Sequence, residues 1–556
     1  MHTDNSYLGE QKIGRLLLKF SIPCILSLVI SALYNIVDQI FIGNSRVGMF
    51  GIAATTVVFP LTIIAQAFAW MFGDGTAAFM SIEQGEGAED IEPEARKKSH
   101  LSRAVGGSLA MTVLCSIIIL AIAFPLKVPI LNLFGASENS LDLAVDYFNI
   151  VVSFFPVFML MNMLSGVVRA DGSPRYAMAA SVAGAVINIA FDPIFIYACD
   201  LGIKGAAWAT VMGQTVSLAI FVAYLFRSRM FRLSLRAFLP DFHLIWACMR
   251  LGISSFINQI AIDATTIALN ILLAKYGAVS AYGQDIPIAI IGIETKVFTI
   301  INNIIIGIVL GGQPIIGYNY GAGRYDRVRR CYKDILISTL IVGAVATILF
   351  EAFPEGIISI FGTTIDSADY DKTLYIQYGV YTLRIFLSLI IFTGVIKMSS
   401  VFFQAVGKPV SAMVASLIRD IITFIPLVII LPMAAEKYLP GTGVEALLFA
   451  APGADILGII VCVILSAVIF RGIRKQEQHQ AGPNPDGLHP DGSHPDGPDP
   501  DGSHPDGPDP DGAGQAPSAE EGCPGKTDQF SGGSTACTEN ADITGTLSLQ
   551  DTDGNR

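Results

Sequence analysis

Two aspartates stand where hydrocarbon is expected. Asp38, in Tyr34-Asn35-Ile36-Val37-Asp38-Gln39, lies near the end of an apolar run that starts near Leu16. Asp192, in Asn188-Ile189-Ala190-Phe191-Asp192-Pro193, closes another. An ionisable side chain inside a membrane-spanning helix costs several kcal/mol unless it faces a cavity or a partner, so its default reading is functional. At 1.5 Å per helical residue, Asp38 stands roughly 28 Å above Lys19 and Asp192 roughly 24 Å above Tyr176, which puts both in the same half of a bilayer. Tyr34 is one turn from Asp38 and Asn188 one turn from Asp192, on the same helix faces. Thr210 counts out close to that level; Asn162 counts out deeper. Pro23 and Pro193 can kink the two carboxylate-bearing helices and free carbonyls beside them. Two carboxylates close together in a low dielectric do not both ionise comfortably, so the pair can accept a proton. The neighbouring Asn, Thr and Tyr oxygens would suit Na⁺ equally well. The plainer alternative is that each Asp caps or hydrogen-bonds a neighbouring helix.

The elements that must position these groups are membrane spans. A mean hydropathy of +0.56 with 52% hydrophobic residues over 556 positions exceeds what a soluble chain of this length carries. Twelve spans fit, at about 16–42, 50–72, 104–126, 147–168, 176–198, 204–226, 248–274, 286–314, 335–353, 376–402, 410–432 and 447–470. Loops on one side hold most of the basic residues, among them Arg96, Lys97, Lys98, Arg169, Arg227, Arg324, Arg327, Arg329, Arg330 and Arg474. The other side has only Arg46, Lys127, Lys204, Lys275, Lys372 and Lys437. The positive-inside rule then makes both termini cytoplasmic, in a cell inner membrane crossed an even number of times.

The formal charge of −12 is concentrated in the tail: from Glu477 onward there are 16 acidic residues against Lys526 and Arg556. The membrane part is about neutral, and nucleic-acid binding has no support. The eight cysteines show no C-x-x-C spacing, and six lie in or beside apolar runs as small hydrophobes. None of the seven histidines falls within a span, which leaves no intramembrane His relay or His-ligated metal. The first apolar segment is too long for a signal-peptide core and should remain as the first span. No phosphate-cradling G-x-x-x-x-G-K-[ST] loop is present, so transport would draw on an ion gradient.

The chain also repeats. Gly75, Gly85 and Gly87 in GTAAFMSIEQGEG recur 236 positions on as Gly311, Gly321 and Gly323 in GGQPIIGYNYGAG, each time after a second or an eighth span. RADGSP at 169–174 is echoed by QAVGKP at 404–409. Six spans per copy means parallel repeats about an axis along the membrane normal. The division expected is a lobe over 1–226, a linker over 227–247, a second lobe over 248–475, and a disordered Pro/Asp/Gly-rich acidic tail over 476–556.

These residues reach a known family. FSIPCILSLVISALYNIVDQIFIG, RADGSPRYAMAASVAGAVINIAFDPIFIY, LGIKGAAWATVMGQ, GGQPIIGYNYGAGRYDRVRR, FFQAVGKPVSAM and LIRDIITFIPLVIILP resemble the multidrug and toxic compound extrusion (MATE) family, in its MepA/DinF-like branch, over about residues 10–475. The resemblance implies an all-α integral membrane fold of twelve helices in two lobes. It implies an exporter of amphipathic, often cationic small molecules in exchange for H⁺ or Na⁺, with no other cofactor, working as a monomer in the bilayer. In DinF-type members the first-lobe cation site is a Tyr and an Asp on the first helix, an Asn on the fourth, an Asn and an Asp on the fifth and a Thr on the sixth. The matching positions here are Tyr34, Asp38, Asn162, Asn188, Asp192 and Thr210, with Pro23 at the first-helix bend. In the second lobe, Asp263 falls where NorM-type relatives place an acidic ligand on helix seven. Glu294 and Lys296, two residues apart in span eight, point in different directions and are secondary cavity candidates. Arg384 and Arg419 read as structural, pairing with helix ends or with Asp420.

Two other classes compete with multidrug efflux. A flippase for a lipid-linked or other endogenous metabolite would want a groove rich in cations, and only Lys296, Arg384, Lys397 and Arg419 are available. A membrane prenyltransferase would need paired Asp-rich magnesium motifs, and the spans offer isolated carboxylates.

Overall fold

The computed structural model describes residues 7–480 apart from 87–93, 137, 229–230, 232–234, 240, 284 and 363–371. The described chain is all helix. Eleven helices are long and apolar enough to cross a membrane, or twelve if one bent pair counts as a single span. In order they are span 1, Ile13–Gly43; span 2, Gly48–Glu86; span 3, Glu94–Ala123; span 4, the pair Glu138–Ser153 and Phe155–Ala170; span 5, Pro174–Pro193; and span 6, Ile203–Leu225. Then come span 7, Phe242–Gly277; span 8, Asp285–Gly321; span 9, Tyr325–Ala352; span 10, Lys372–Phe386 with Thr393–Ala405; span 11, Pro409–Leu417 continuing to Tyr438; and span 12, Gly443–Leu448 with Ala450–Gln480.

Several helices depart from the apolar windows that announce them. Span 4 bends by 53° between its halves, where Pro156 removes a backbone donor just inside the second half. Span 10 breaks into a 3₁₀ turn at Ile390–Phe392, and span 11 widens into a π-helix over Ile418–Phe424. Spans 2 and 8 run well past their apolar windows, to Glu86 and Gly321. The extra turns are polar but buried, with Thr76, Ser81, Gln313 and Asn319 all shielded, because the two helices are packed backbone against backbone there.

Glycine makes that approach possible, and here the sequence repeat acquires a physical meaning. A Cβ on Gly85 would stand 2.0 Å from the Tyr318 carbonyl oxygen, and one on Gly321 would stand 2.1 Å from that of Ile82, a reciprocal contact of spans 2 and 8. A Cβ on Gly75 would meet the Cys248 carbonyl at 2.2 Å, and one on Gly252 the Met71 carbonyl at 1.8 Å, which locks span 2 to span 7. Gly311 faces the Ser21 backbone in the same way, span 8 against span 1.

Both ends of the helical body lie on one face. The short helix Tyr7–Glu10 is held there by Arg324 donating to the Gly9 carbonyl at 2.8 Å and by Arg327 donating to Leu8 and Gln11 carbonyls. Tyr7 Oη donates to the Gly172 carbonyl at 3.3 Å, and Arg329 pairs with Glu477 at 3.0 Å near the end of span 12. The segment expected to link the halves is pinned to this body: Phe231 and Ala237 are buried, and Asp241 caps span 7 through the His243 and Leu244 amides. Span 12 remains helical to Gln480, so the first residues of the expected tail belong to it; the remainder of 476–556 lies outside the described residues.

Candidate functional site

Spans 5 and 6 cross at glycine: a Cβ on Gly184 would sit 2.6 Å from the Gly213 carbonyl, and one on Gly213 would sit 3.1 Å from Asn188 Cβ. That crossing brings Asn188 to Thr210, its Nδ2 donating to Thr210 Oγ1 at 3.4 Å and to Asp192 Oδ1 at 3.5 Å. Span 5 passes into a π-helix over Ile194–Ala198 directly after Pro193, a widening frequent at functional positions. Tyr197, within it, donates to the Phe41 carbonyl at 2.8 Å and so ties the ends of spans 1 and 5 together. Span 1 thereby carries Asp38 to Asp192, and the two carboxyl groups are within hydrogen-bonding reach of each other.

Both carboxylates are withdrawn from solvent, Asp38 at 6% exposure and Asp192 at 0%. Asp38 Oδ1, Asp192 Oδ2 and Asn188 Oδ1 are buried without a donor. Three buried acceptors left without donors on neighbouring residues suit a proton or a small hard cation, because an unsatisfied buried acceptor is costly. Tyr34, Asn162, Asn188 and Thr210 line a central cavity of about 230 Å³, whereas the two carboxylates are not in its lining. Asn162, which lines the cavity, donates back to the Phe158 carbonyl of its own helix at 2.9 Å, so its amide nitrogen is engaged within span 4. Pro23 is buried in span 1, and Ser27 Oγ donates to its carbonyl at 2.9 Å.

Sequence reasoning missed Tyr147. Its hydroxyl neighbours Thr210, and it lies within electrostatic reach of Asp38, Tyr34 and Asp192. Its only signal was a polar residue opening an apolar window. Asp74 was missed too. It receives a hydrogen bond from Ser255 at 3.0 Å and faces Arg169 at 3.6 Å. With Gln404, which donates to the Leu251 carbonyl at 2.9 Å and accepts from Gln313 at 3.1 Å, it makes a polar floor joining spans 2, 4, 7, 8 and 10.

The remaining candidates are dispersed. Asp263 is half-buried on span 7 and has no hydrogen-bond or ion-pair partner among the described residues. Glu294 is buried with both oxygens unpartnered, and Lys296 is exposed. Arg419 bridges two buried carboxylates, Asp420 at 2.6 Å and Asp455 at 2.8 Å, while Arg384 faces Glu351 at 3.4 Å. Among the described residues, no three His, Cys, Asp or Glu side chains gather as a metal centre would require.

Comparison with known proteins decides the family. The profile designated MatE matches residues 23–194 and 255–430, more than half of the chain. The chain belongs to the MatE family. Among curated MatE-type relatives, the multidrug export protein MepA of Staphylococcus aureus (strain MRSA252) is 24% identical over 426 residues, covering 76% of this chain and 88% of that protein. MepA of Staphylococcus haemolyticus (strain JCSC1435) is 24% identical over 429 residues, with the same coverage. Solved structures share the fold: a MATE protein in complex with MaL6 superposes with a TM-score of 0.74 at 20% identity, over 84% of this chain and 99% of that one. An outward-facing multidrug resistance MATE transporter of the MOP superfamily superposes at 0.74 and 19%, over 84% and 98%. This MatE protein is therefore a transporter rather than an enzyme, and its fold is that of a multi-pass helical membrane protein.

Proposed function

We propose that this protein is a secondary-active multidrug efflux antiporter, in which entry of H⁺ or Na⁺ at the Asp38/Asp192 pair drives export of amphipathic organic molecules. The kinship with the multidrug export protein MepA supports the efflux assignment. The observation that carries the coupling assignment is the set of three buried, donorless acceptors on Asp38, Asn188 and Asp192, beside a cavity lined by Asn188 itself and by Tyr34, Asn162 and Thr210. The arginine-rich face is cytoplasmic, with both termini on it. Two six-span lobes, over 1–226 and 248–475, rock about the glycine seam, joined by 227–247.

In this cycle the coupling ion reaches Asp38 and Asp192 from outside and removes their charge. Span 1 then bends at Pro23, Tyr34 and Asn188 withdraw from the cavity, and the substrate leaves. The inward-open form binds the next substrate as the ion departs to the cytoplasm. A ligand drives such a switch only through different affinities for the two states, so a neutral Asn should freeze the pair. The test is drug accumulation in sensitised cells: wild type should exclude ethidium, and Asp38→Asn should not. Undiminished export by Asp38→Asn would remove the coupling role. Inverted vesicles given a pH or a Na⁺ gradient identify the ion.

A further inference from the structure

The central cavity carries three charged side chains, Asp74, Arg169 and Lys397. Asp74 is already occupied, facing Arg169 at 3.6 Å and accepting from Ser255 at 3.0 Å. Arg169 spends its other terminal nitrogen on Ser165 Oγ at 2.8 Å. Lys397 differs from both. Its one hydrogen bond among the described residues is a long one, to Asn258 Oδ1 at 3.4 Å, and it has no carboxylate within ion-pair distance. The nearby carboxylates that could have served it, Asp420 and Asp455, are both held by Arg419. An ammonium carries three donors, so Lys397 keeps two for whatever enters. The rest of the lining is apolar or uncharged and includes Trp70, Met161 and Phe221. Among the described residues, no unpaired carboxylate lines this space to greet a cation.

We propose that Lys397 is a specificity-determining residue, and that the cavity prefers amphipathic substrates bearing a carboxylate, zwitterions foremost, over purely cationic ones. The proposal rests on the export reading above and names its substrate class. The carboxylate of the guest docks on the Lys397 ammonium beside Asn258, and its flat apolar body lies along the aromatic and methionine walls. A cationic amine on the same guest points away from Lys397, toward the uncharged oxygens of Tyr34, Asn162 and Asn188. One charge-assisted hydrogen bond in a shielded cavity is the discriminating contact.

The experiment uses the full-length protein reconstituted in vesicles, with three probes: a zwitterionic fluoroquinolone, its carboxylate methyl ester, and ethidium. In wild type the acid should bind and be transported in preference to its ester. Lys397→Met should weaken the acid about tenfold to a hundredfold, the range expected for a hydrogen bond to a charged group, and leave ester and ethidium within about twofold. Lys397→Arg should retain the preference for the acid. Continued ethidium export by Lys397→Met shows that the variant is folded and working. The proposal is overturned if wild type treats acid and ester alike, or if Lys397→Met still prefers the acid. A parallel loss of all three probes in that variant overturns it too, because the residue is then structural. Ethidium export without any acid preference in wild type sinks only this inference; no export of any probe by wild type sinks the efflux reading as well.

Discussion

Gly252→Ala should part the two halves of the protein on the arginine-rich face. The new methyl carbon would stand 1.8 Å from the Met71 carbonyl oxygen, where real Cβ contacts do not fall below 3.0 Å. Spans 2 and 7 must therefore separate by at least about 1.2 Å, and the opposing Met71 oxygen is backbone, so no rotamer change relieves the clash. Overpacking of this kind costs about 1–3 kcal/mol, charged only to the state in which the seam is meshed. The ratio of meshed to parted molecules should fall by about 5- to 150-fold. Cys248 is a built-in reporter, since it is fully buried at this contact and its carbonyl faces Gly75. With Cys248 as the sole cysteine, its labelling by a maleimide in inside-out vesicles should accelerate by the same factor, with a loss of export. Gly14→Ala serves as the control, because a Cβ there meets nothing within 4 Å. Equal labelling rates in wild type, Gly252→Ala and Gly14→Ala would refute the reasoning.

Two further outcomes follow from buried charge. Asp171, in the turn between spans 4 and 5, is pushed up from 3.8 to about 7 by burial, against the opposing pull of hydrogen bonds from Tyr224 and Ser228. A raised folded-state value favours the protonated fold, so its contribution is full below about pH 4 and is lost as pH rises toward 7. Relative to Asp171→Asn, wild type should lose roughly 1.4 kcal/mol of stability per pH step between 5 and 7, read by thermal unfolding in detergent; a difference independent of pH contradicts the burial argument. Arg419→Met strands Asp420 and Asp455, at 2% and 5% exposure, and should cost about 3–5 kcal/mol. Adding Asp420→Asn and Asp455→Asn should recover most of that in the same assay, and failure to recover would mean that Arg419 matters for packing rather than charge.

The parts of this molecule that were legible in the sequence are those governed by local composition. Apolar windows located the spans, and lone carboxylates in oil picked out Asp38 and Asp192. What the windows could not give was set by contacts between distant segments. The polar turns 73–86 and 311–321 carry no apolar signal, and they are buried only because glycines on two helices meet. Tyr147 meets Tyr34, Asp38, Asp192 and Thr210 only through the packing of span 4 against distant spans, so a polar residue at a window edge gave no direction. Asp74 drew no notice in the sequence, because the partners that define it, Arg169 and Ser255, come from elsewhere in the chain. The π-helices at Ile194–Ala198 and Ile418–Phe424 have no composition of their own, and Asn162, which residue counting set deeper than the carboxylates, entered the candidate set through the family resemblance.

The reciprocal fit of Gly85 and Gly321 has a mechanical consequence. Where long side chains meet, a joint can yield by degrees, one rotamer at a time; where main chain meets main chain, the teeth either engage or clear each other. On the proposed cycle, a hinge of that sort would have no half-open setting through which water or small ions could slip while the cargo turns over. Tightness against leakage would then come from the absence of side chains, at two positions 236 residues apart.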